Sequence, residues 1–215
     1  EQLTDAFISG GFSLKQLVRT IVLSRTYQLD SELDRSQLGE TESLDPRLMA
    51  QAVVRRLSAE QLMDVQSQVL DVPAKYEGYP DGTRAVDIFG VERVRRKLSP
   101  DDLLLRKFGK PERLLSCECE RSHEATLGQA LSLIGGEKLN ERLQQSDNRI
   151  GRLLNQSRDY RELIGELYWT ALTRPPTEEE LSSLVADIHH CEHPRETLED
   201  VVWALLNAKE LIYRN

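Results

Sequence analysis

No run of apolar residues in this 215-residue chain approaches the roughly 20 needed to cross a bilayer. No secretory signal pattern is present either. Cysteine is scarce. Three cysteines, an odd number, do not make a disulfide framework, and they leave the redox compartment open. No Cys-x-x-Cys-His occurs, so this chain holds no covalent haem. A phosphate loop, a dinucleotide fingerprint and a Ser/His/Asp constellation are all missing, which removes the common signatures of nucleotide chemistry and triad hydrolysis. Repeats and low-complexity tracts are absent too.

What is there is a balanced globular composition. Hydrophobic residues make up 39% and charged residues 30%, enough to bury a core over this length. The net charge of -8 makes the chain a poor binder of nucleic acid or anionic membrane. Arginine outnumbers lysine among the cations. Its planar fork suits bidentate carboxylate pairs, so many Arg–acid contacts are expected. The chain opens on Glu1, already inside a helical pattern, and is expected to be a fragment or a processed form.

Helix signals recur along the chain. Leu3, Phe7 and Ile8 form an apolar face that Gly10-Gly11 closes. Ser13 with Gln16 is a capping box ahead of Leu14, Leu17, Val18 and Ile21, predicting a helix to about Tyr27. Residues 30–43 read as a polar loop. Asp45-Pro46 starts a helix expected to reach about Leu57. Ser58 with Gln61 caps another, which Pro73 ends. Residues 73–98 are the least helical part, rich in turn residues, with a short hairpin expected over Thr83–Phe89 and Val91–Leu98. Ser99-Pro100-Asp101-Asp102 opens a short helix that Gly109 closes. Thr126 with Gln129, Asp159 with Glu162 and Thr177 with Glu180 cap later helices. Pro194 is expected to close a passage, and a last helix to run from about Glu196 towards Tyr213. The fold class that follows is all-α: an irregular multi-helix bundle, one domain over 1–215, with one loop-rich segment.

The densest chemistry is Ser-Cys-Glu-Cys-Glu-Arg-Ser-His-Glu at residues 116–124. Three readings compete. Cys117, Cys119 and His123 are candidate metal ligands, with Cys191 among His189, His190 and His193 as a further source. A one-residue gap between cysteines pinches a chelate, however, so no metal and no cofactor is expected. Thiol chemistry is opposed by Glu118 and Glu120, which raise thiol pKa values. Carboxylate catalysis would use Glu118, Glu120 and Glu124, with Arg121 beside them. In an extended stretch the two glutamates share one face and the cysteines the other. The favoured reading is structural: buried cysteines, and Arg121 in an ion network with Glu118 or Glu120. The basic run Arg93, Arg95, Arg96, Lys97, followed by Arg106, Lys107, Lys110 and Arg113, lacks the aromatics of a nucleic-acid site. It is read as an intramolecular partner for acidic helices, with Arg93 and Arg96 as candidate binding residues beside Glu118, Glu120 and Arg121. Trp169 and Trp203 are read as core or interface anchors.

Cys117-Glu118-Cys119-Glu120-Arg121-Ser122, then Thr126-Leu127 and Gln129-Ala130-Leu131, resemble a block of domain-of-unknown-function family fifteen-fifty-three. Ser13-Leu14-Lys15 through Ser24-Arg25-Thr26-Tyr27 is similar to its early helix. Leu167-Tyr168 through Arg174-Pro175-Pro176-Thr177 is similar to a late helix junction, and Trp203-Ala204-Leu205-Leu206-Asn207 with Glu210 to its closing helix. The resemblance covers nearly the whole chain, as the C-terminal part of that domain. It implies a large, exported planctomycete protein, in some members joined to cytochrome or carbohydrate-binding modules, but no activity. His123 departs from the small polar residue the family carries there, which argues against a family-wide histidine ligand. The expected function is a helical scaffold or interaction domain of an exported bacterial protein, located outside the cytoplasm. Its partner would be a missing upstream domain of the same polypeptide, with no nucleic acid and no membrane span. The alternatives are an enzyme component acting on extracellular polymers and a metal- or thiol-dependent module.

Overall fold

The computed structural model describes residues 1–29, 52, 54–88, 98–111 and 126–214. These residues are overwhelmingly helical, so the chain is all-α. The strands among them are two residues long, Arg55–Arg56 and Tyr213–Arg214. The chain divides into two compact units, one of Glu1–Arg55 with Tyr213–Asn215, the other of Arg56–Ile212.

In the first unit, α1 (Gln2–Ser9) and α2 (Leu14–Val22) are joined by a turn in which Gly11 takes φ 69° and Phe12 φ 61°. Positive φ is free for glycine and uncommon for phenylalanine. Phe12 meets Phe7 edge to face, with ring centroids 5.5 Å apart. Ser13 caps α2 by accepting from the Gln16 N–H. The helix stops at Val22, short of the expected Tyr27. There the Ser24 hydroxyl donates to the Ile21 carbonyl at 2.7 Å and accepts from the Tyr27 N–H at 3.3 Å. Serine thus offers the backbone a local alternative to the helix.

The second unit opens on α3 (Ala59–Leu70), where Ser58 and Gln61 form the expected reciprocal capping box. Seven of its residues are buried: Ala59, Glu60, Leu62, Met63, Gln66, Val69 and Leu70. Asp71, at φ 55°, ends it two residues before Pro73. Arg149 then donates from Nε to the Val69 carbonyl at 2.8 Å and from Nη2 to the Gln68 carbonyl at 3.1 Å, satisfying orphan acceptors of that end. The helix expected to reach Leu57 does not do so, because Arg55–Arg56 is extended. The Leu57 N–H donates instead to the Ile212 carbonyl at 2.8 Å.

Residues 73–88 are irregular, as anticipated, but Ala85–Asp87 form a 3-10 turn where a hairpin strand was expected. The reason is Asp64 of α3. Its carboxylate accepts from the Ala85 N–H at 2.6 Å and the Val86 N–H at 3.4 Å, taking the donors a β-ladder would need. The expected second strand lies outside the described residues.

Among the described residues, six helices follow α4 (Pro100–Lys107) up to residue 207: α5 (Leu127–Gly135), α6 (Glu137–Leu143), α7 (Arg149–Gln156), α8 (Tyr160–Leu172), α9 (Glu178–His190) and α10 (Pro194–Asn207). A last turn, α11 (Lys209–Ile212), completes the unit. Asn148, fully buried, welds α6 to α7. Its amide donates to the Arg142 and Leu143 carbonyls and its oxygen accepts from the Gly151 N–H at 3.0 Å. Helices α8, α9 and α10 pack on one another, and α3 packs on α8. Ile164, Leu198, Val202 and Leu206 are essentially inaccessible at the centre of this core. Pro194 opens α10 rather than closing a passage, as proline at a first helical position does. The last helix is broken at Ala208, which turns to ψ 141°.

Candidate functional site

Glu118, Glu120, Arg121, Arg93, Arg96, Cys117, Cys119 and His123 all lie outside the described residues. The structure places the ends from which the Cys-Glu-Cys segment departs and to which it returns, α4 and α5. Both belong to the second unit, and α4 carries two acids of a buried ionic cluster that the sequence reading did not single out.

The cluster begins at the N-terminus of α4. Ser99 caps the helix and Asp102 closes the box, accepting from the Ser99 N–H and hydroxyl at 2.9 Å each. Asp102 also accepts from the Glu77 N–H at 3.3 Å. Asp101 accepts from the Lys75 N–H at 2.8 Å on one oxygen and from Arg142 Nη2 of α6 at 2.7 Å on the other. Both aspartates are buried, Asp102 completely. The positive end of the helix favours them, and the hydrogen bonds repay part of their desolvation. At the far end of α4, Gly109 at φ 88° lets the Lys110 N–H reach back to the Leu105 carbonyl at 3.0 Å, closing a Schellman turn. That turn aims the buried Lys110 ammonium at the Ala85 carbonyl, 2.7 Å away, and at Glu60 of α3, 3.7 Å away.

Tyr76 sits among these groups with its hydroxyl buried and without a hydrogen-bond partner among the described residues. Burial first, then the Asp101 and Asp64 carboxylates, raise this phenol well above its ordinary value. It remains a neutral phenol throughout the physiological range. A buried hydroxyl without a partner costs about 1–3 kcal/mol. The Ser67 hydroxyl is in the same position.

Chemically, this arrangement holds rather than reacts. The Asp101, Asp102 and Asp64 carboxylates accept from backbone N–H groups, and Asp101 also from a guanidinium. Together they pin the irregular 73–88 segment to α3 and α4. Lys110, drawn from the basic stretch noted in the sequence, turns inward to an acidic helix.

Beside the cluster runs an apolar groove of about 280 Å³, between α3 and α4 on one side and α5 and α6 on the other. Leu62, Met63, Leu104, Phe108, Leu133 and Leu139 line it, with Lys107, Glu137 and Lys138 at its edge. Lys138 pairs with Glu141. A second depression of about 370 Å³ is polar, with Arg149, Arg152, Glu162 and Glu166 on its walls. Its arginines are occupied in capping α3 and in bonds to Asp71 and the Asp147 carbonyl.

The histidine-rich tail shows local contacts. Cys191 Sγ lies 3.1 Å from the Ile188 carbonyl, His190 Nδ1 lies 2.6 Å from the Ala186 carbonyl, and His189 stacks edge to face on Tyr160. Among the described residues no three His, Cys, Asp or Glu side chains converge as metal ligands do.

A third polar centre is Arg174, just beyond α8. It grips Glu180 with Nη1 and Nη2 at 3.0 and 3.1 Å, and Glu210 with Nε and Nη2 at 2.7 and 3.0 Å. It also lies over the Tyr168 ring at 5.5 Å. Glu180 closes the capping box of α9, and Glu210 belongs to α11. The fork therefore ties three helices with bidentate bonds that lysine cannot reproduce. Its hydrogen bonds, chiefly, hold Glu180 at about 2.

Of the two tryptophans, Trp203 donates from Nε1 to the Ile134 carbonyl at 3.2 Å, joining α10 to α5. Trp169 is 54% exposed and so is not a core residue. The signal that could have revealed the cluster was Asp-Asp directly behind a capping serine and proline. Two acids in one first turn exceed what capping requires.

No helix among the described residues is long and apolar enough to cross a membrane. No curated protein and no solved structure gives a significant match to the chain. A family model does match, over residues 1–188, which spans α1 to most of α9. The chain belongs to the PSD1 family, described as proteins of unknown function (DUF1553).

Proposed function

We propose that this chain is a helical scaffold or interaction domain of a large exported bacterial protein, and that it works outside the cytoplasm by holding another part of that protein in place. One observation carries the reading. The buried acids Asp101 and Asp102, and the half-buried Asp64, are taken up by backbone N–H groups or structural partners, and Asp64, which lines a shallow depression, is paired there with Arg84. Groups consumed in this way fix a shape. The shape they fix presents apolar surface, and an apolar surface framed by rigid polar ties is what a binding partner uses. The family resemblance supports the exported, multidomain setting.

The test uses the full-length polypeptide and the present chain in parallel. Chemical crosslinking followed by mass spectrometry should join this chain to the upstream part of the same polypeptide. The purified chain should not turn over polysaccharide or peptide polymers. Turnover of such a polymer, abolished by Glu118→Gln with Glu120→Gln at unchanged melting temperature, would replace the scaffold with an enzyme.

A further inference from the structure

Two side chains along the apolar groove have hydrogen-bonding capacity that the described fold leaves unused. Gln66 of α3 is 6% exposed, and its amide has no hydrogen-bond partner among the described residues. Arg142 of α6 is equally buried. Its Nη2 donates to Asp101 at 2.7 Å, while the rest of its fork has no partner among those residues. Among the described residues, the side-chain atoms sealed in the interior without a partner are the Ser67 and Tyr76 hydroxyls. The unbonded atoms of Gln66 and Arg142 are therefore open to a space, and the groove is the space both residues border. Polar groups left in this state cost stability, so each calls for a reason.

The two lie towards the same end of the groove, because α3 and α4 run antiparallel. Lys110, behind α4, reaches Glu60 at the start of α3. Lys75 and Glu77, behind α3, donate to Asp101 and Asp102 at the start of α4. Gln66, in the second half of α3, thus falls towards the start of α4, where Arg142 holds Asp101. Lys107 stands at the other end of α4, about 10 Å away at 1.5 Å per residue. It is exposed and has no ion-pair partner among the described residues.

Charge decides against an anionic head beside Gln66. Arg142 is balanced by Asp101 and Lys138 by Glu141, and Asp102 is buried nearby. That end offers N–H donors without net positive charge. A bare hydrocarbon would leave the Gln66 amide unmet. A peptide group meets both residues, its carbonyl accepting from Arg142 and its N–H donating to Gln66 Oε1. In a helix those groups are already bonded to one another, so the segment must be extended. At roughly 3.3 Å per residue, three or four residues span the distance to Lys107.

We propose that the groove binds a short, extended, apolar peptide segment of a protein partner. Gln66 and Arg142 hold one of its peptide groups, leucine-sized side chains fill the space lined by Leu62, Met63, Leu133 and Leu139, and an acidic residue lies towards Lys107. This rests on the interaction-domain reading and names the kind of segment such a domain holds.

The probe is the capped peptide acetyl-Leu-Ala-Leu-Glu-amide, titrated into the whole isotope-labelled chain and followed by NMR. Binding should saturate, and the Gln66 and Arg142 side-chain N–H signals should move. Replacing the internal peptide bonds one at a time by esters removes an N–H each time. One of these esters should bind about fivefold more weakly, the worth of one neutral hydrogen bond. Gln66→Met should weaken the parent peptide at least as much. Its melting temperature should stay the same or rise, since an unmet amide is gone, whereas loss of a structural glutamine would lower it. Ser132→Trp, on the groove wall, should abolish binding at unchanged melting temperature. Equal binding of every ester, or wild-type binding by Gln66→Met, would overturn the assignment. So would decanoate binding blocked by Ser132→Trp without any peptide binding, which would make the groove a site for anionic amphiphiles. If no peptide binds but the crosslinks to the upstream part persist in Ser132→Trp, the groove assignment fails and the scaffold reading stands. If the peptide binds but those crosslinks never form, the groove stands and its segment belongs to another protein.

Discussion

Helices α3 and α5 begin alike and end differently. Each opens on a capping box with glutamine at the third position, Ser58 with Gln61 and Thr126 with Gln129. Each then carries leucine, methionine, valine or isoleucine at helical spacing. Helix α3 buries seven side chains and forms a wall of the core, while α5 buries one, and that one is its capping glutamine. The same local signal therefore starts a helix whose stability comes from packing and one whose place comes from hydrogen bonds. The difference teaches that a capping box reports where a helix begins and says nothing about which side of it faces water.

The largest effect should come from the ionic cluster that anchors α3 to its surroundings. Asp101→Ala leaves Arg142 buried without its carboxylate, and breaking such a pair typically costs about 3–5 kcal/mol. Chemical denaturation of wild type, Asp101→Ala, Arg142→Met and the double variant measures this. The double variant should be the milder loss per residue removed. Strict additivity would mean that the two do not form a coupled pair. Next in size is Leu70→Ala, a fully buried α3 leucine, expected to cost about 2–5 kcal/mol. Its counterpart Leu131→Ala on α5 should stay within about 0.5 kcal/mol of wild type, as surface substitutions do. A Leu131→Ala loss approaching that of Leu70→Ala would show α5 to be a core helix and erase the contrast.

The two capping glutamines sharpen the comparison at a smaller scale. Gln61→Ala removes one cap, at about 1 kcal/mol. Gln129→Ala removes a cap together with the bonds to Lys107 and Arg56, and should cost more. Hydrogen exchange should then quicken across α5 but not across α3. Smallest of all is a pH effect far from both helices. Glu180 is held by Arg174 at about 2, from 4.5 ordinarily. A depressed carboxylate contributes its stability above the unfolded value and loses it as pH falls towards the folded one. Calorimetry should show a modest fall in melting temperature between pH 4.5 and 2 that is shallower in Glu180→Gln.

Much of the architecture was legible because caps and breakers are local. Ser58, Ser99, Thr126 and Thr177 each bond to a backbone N–H three residues on, and Gly109 supplies the left-handed residue that ends α4. Errors arose where a distant group intervened. Thr83–Ile88 has β-compatible residues, but Asp64, some twenty residues earlier, takes the Ala85 and Val86 N–H groups. The expected helix up to Leu57 gives way to extended backbone whose Leu57 N–H finds the Ile212 carbonyl. The site was less legible still. Asp101 and Asp102 looked like helix-start acids, and nothing local announces that Arg142, forty-one residues on, will bury one of them. Arg174 and Glu210 were noted only as points of family resemblance. The structure joins them in one guanidinium clamp, Arg174 holding Glu180 on one side and Glu210 on the other.

By itself, then, the sequence determined the helical class and the start of most of the described helices, since each follows from interactions within about four residues. Tertiary structure alone decided which apolar face is buried, which acids meet which arginines, and that α5 turns its leucines to the solvent. Those outcomes depend on which groups arrive together from far apart along the chain, and a helix with apolar residues on every side carries no local instruction about which side will be covered.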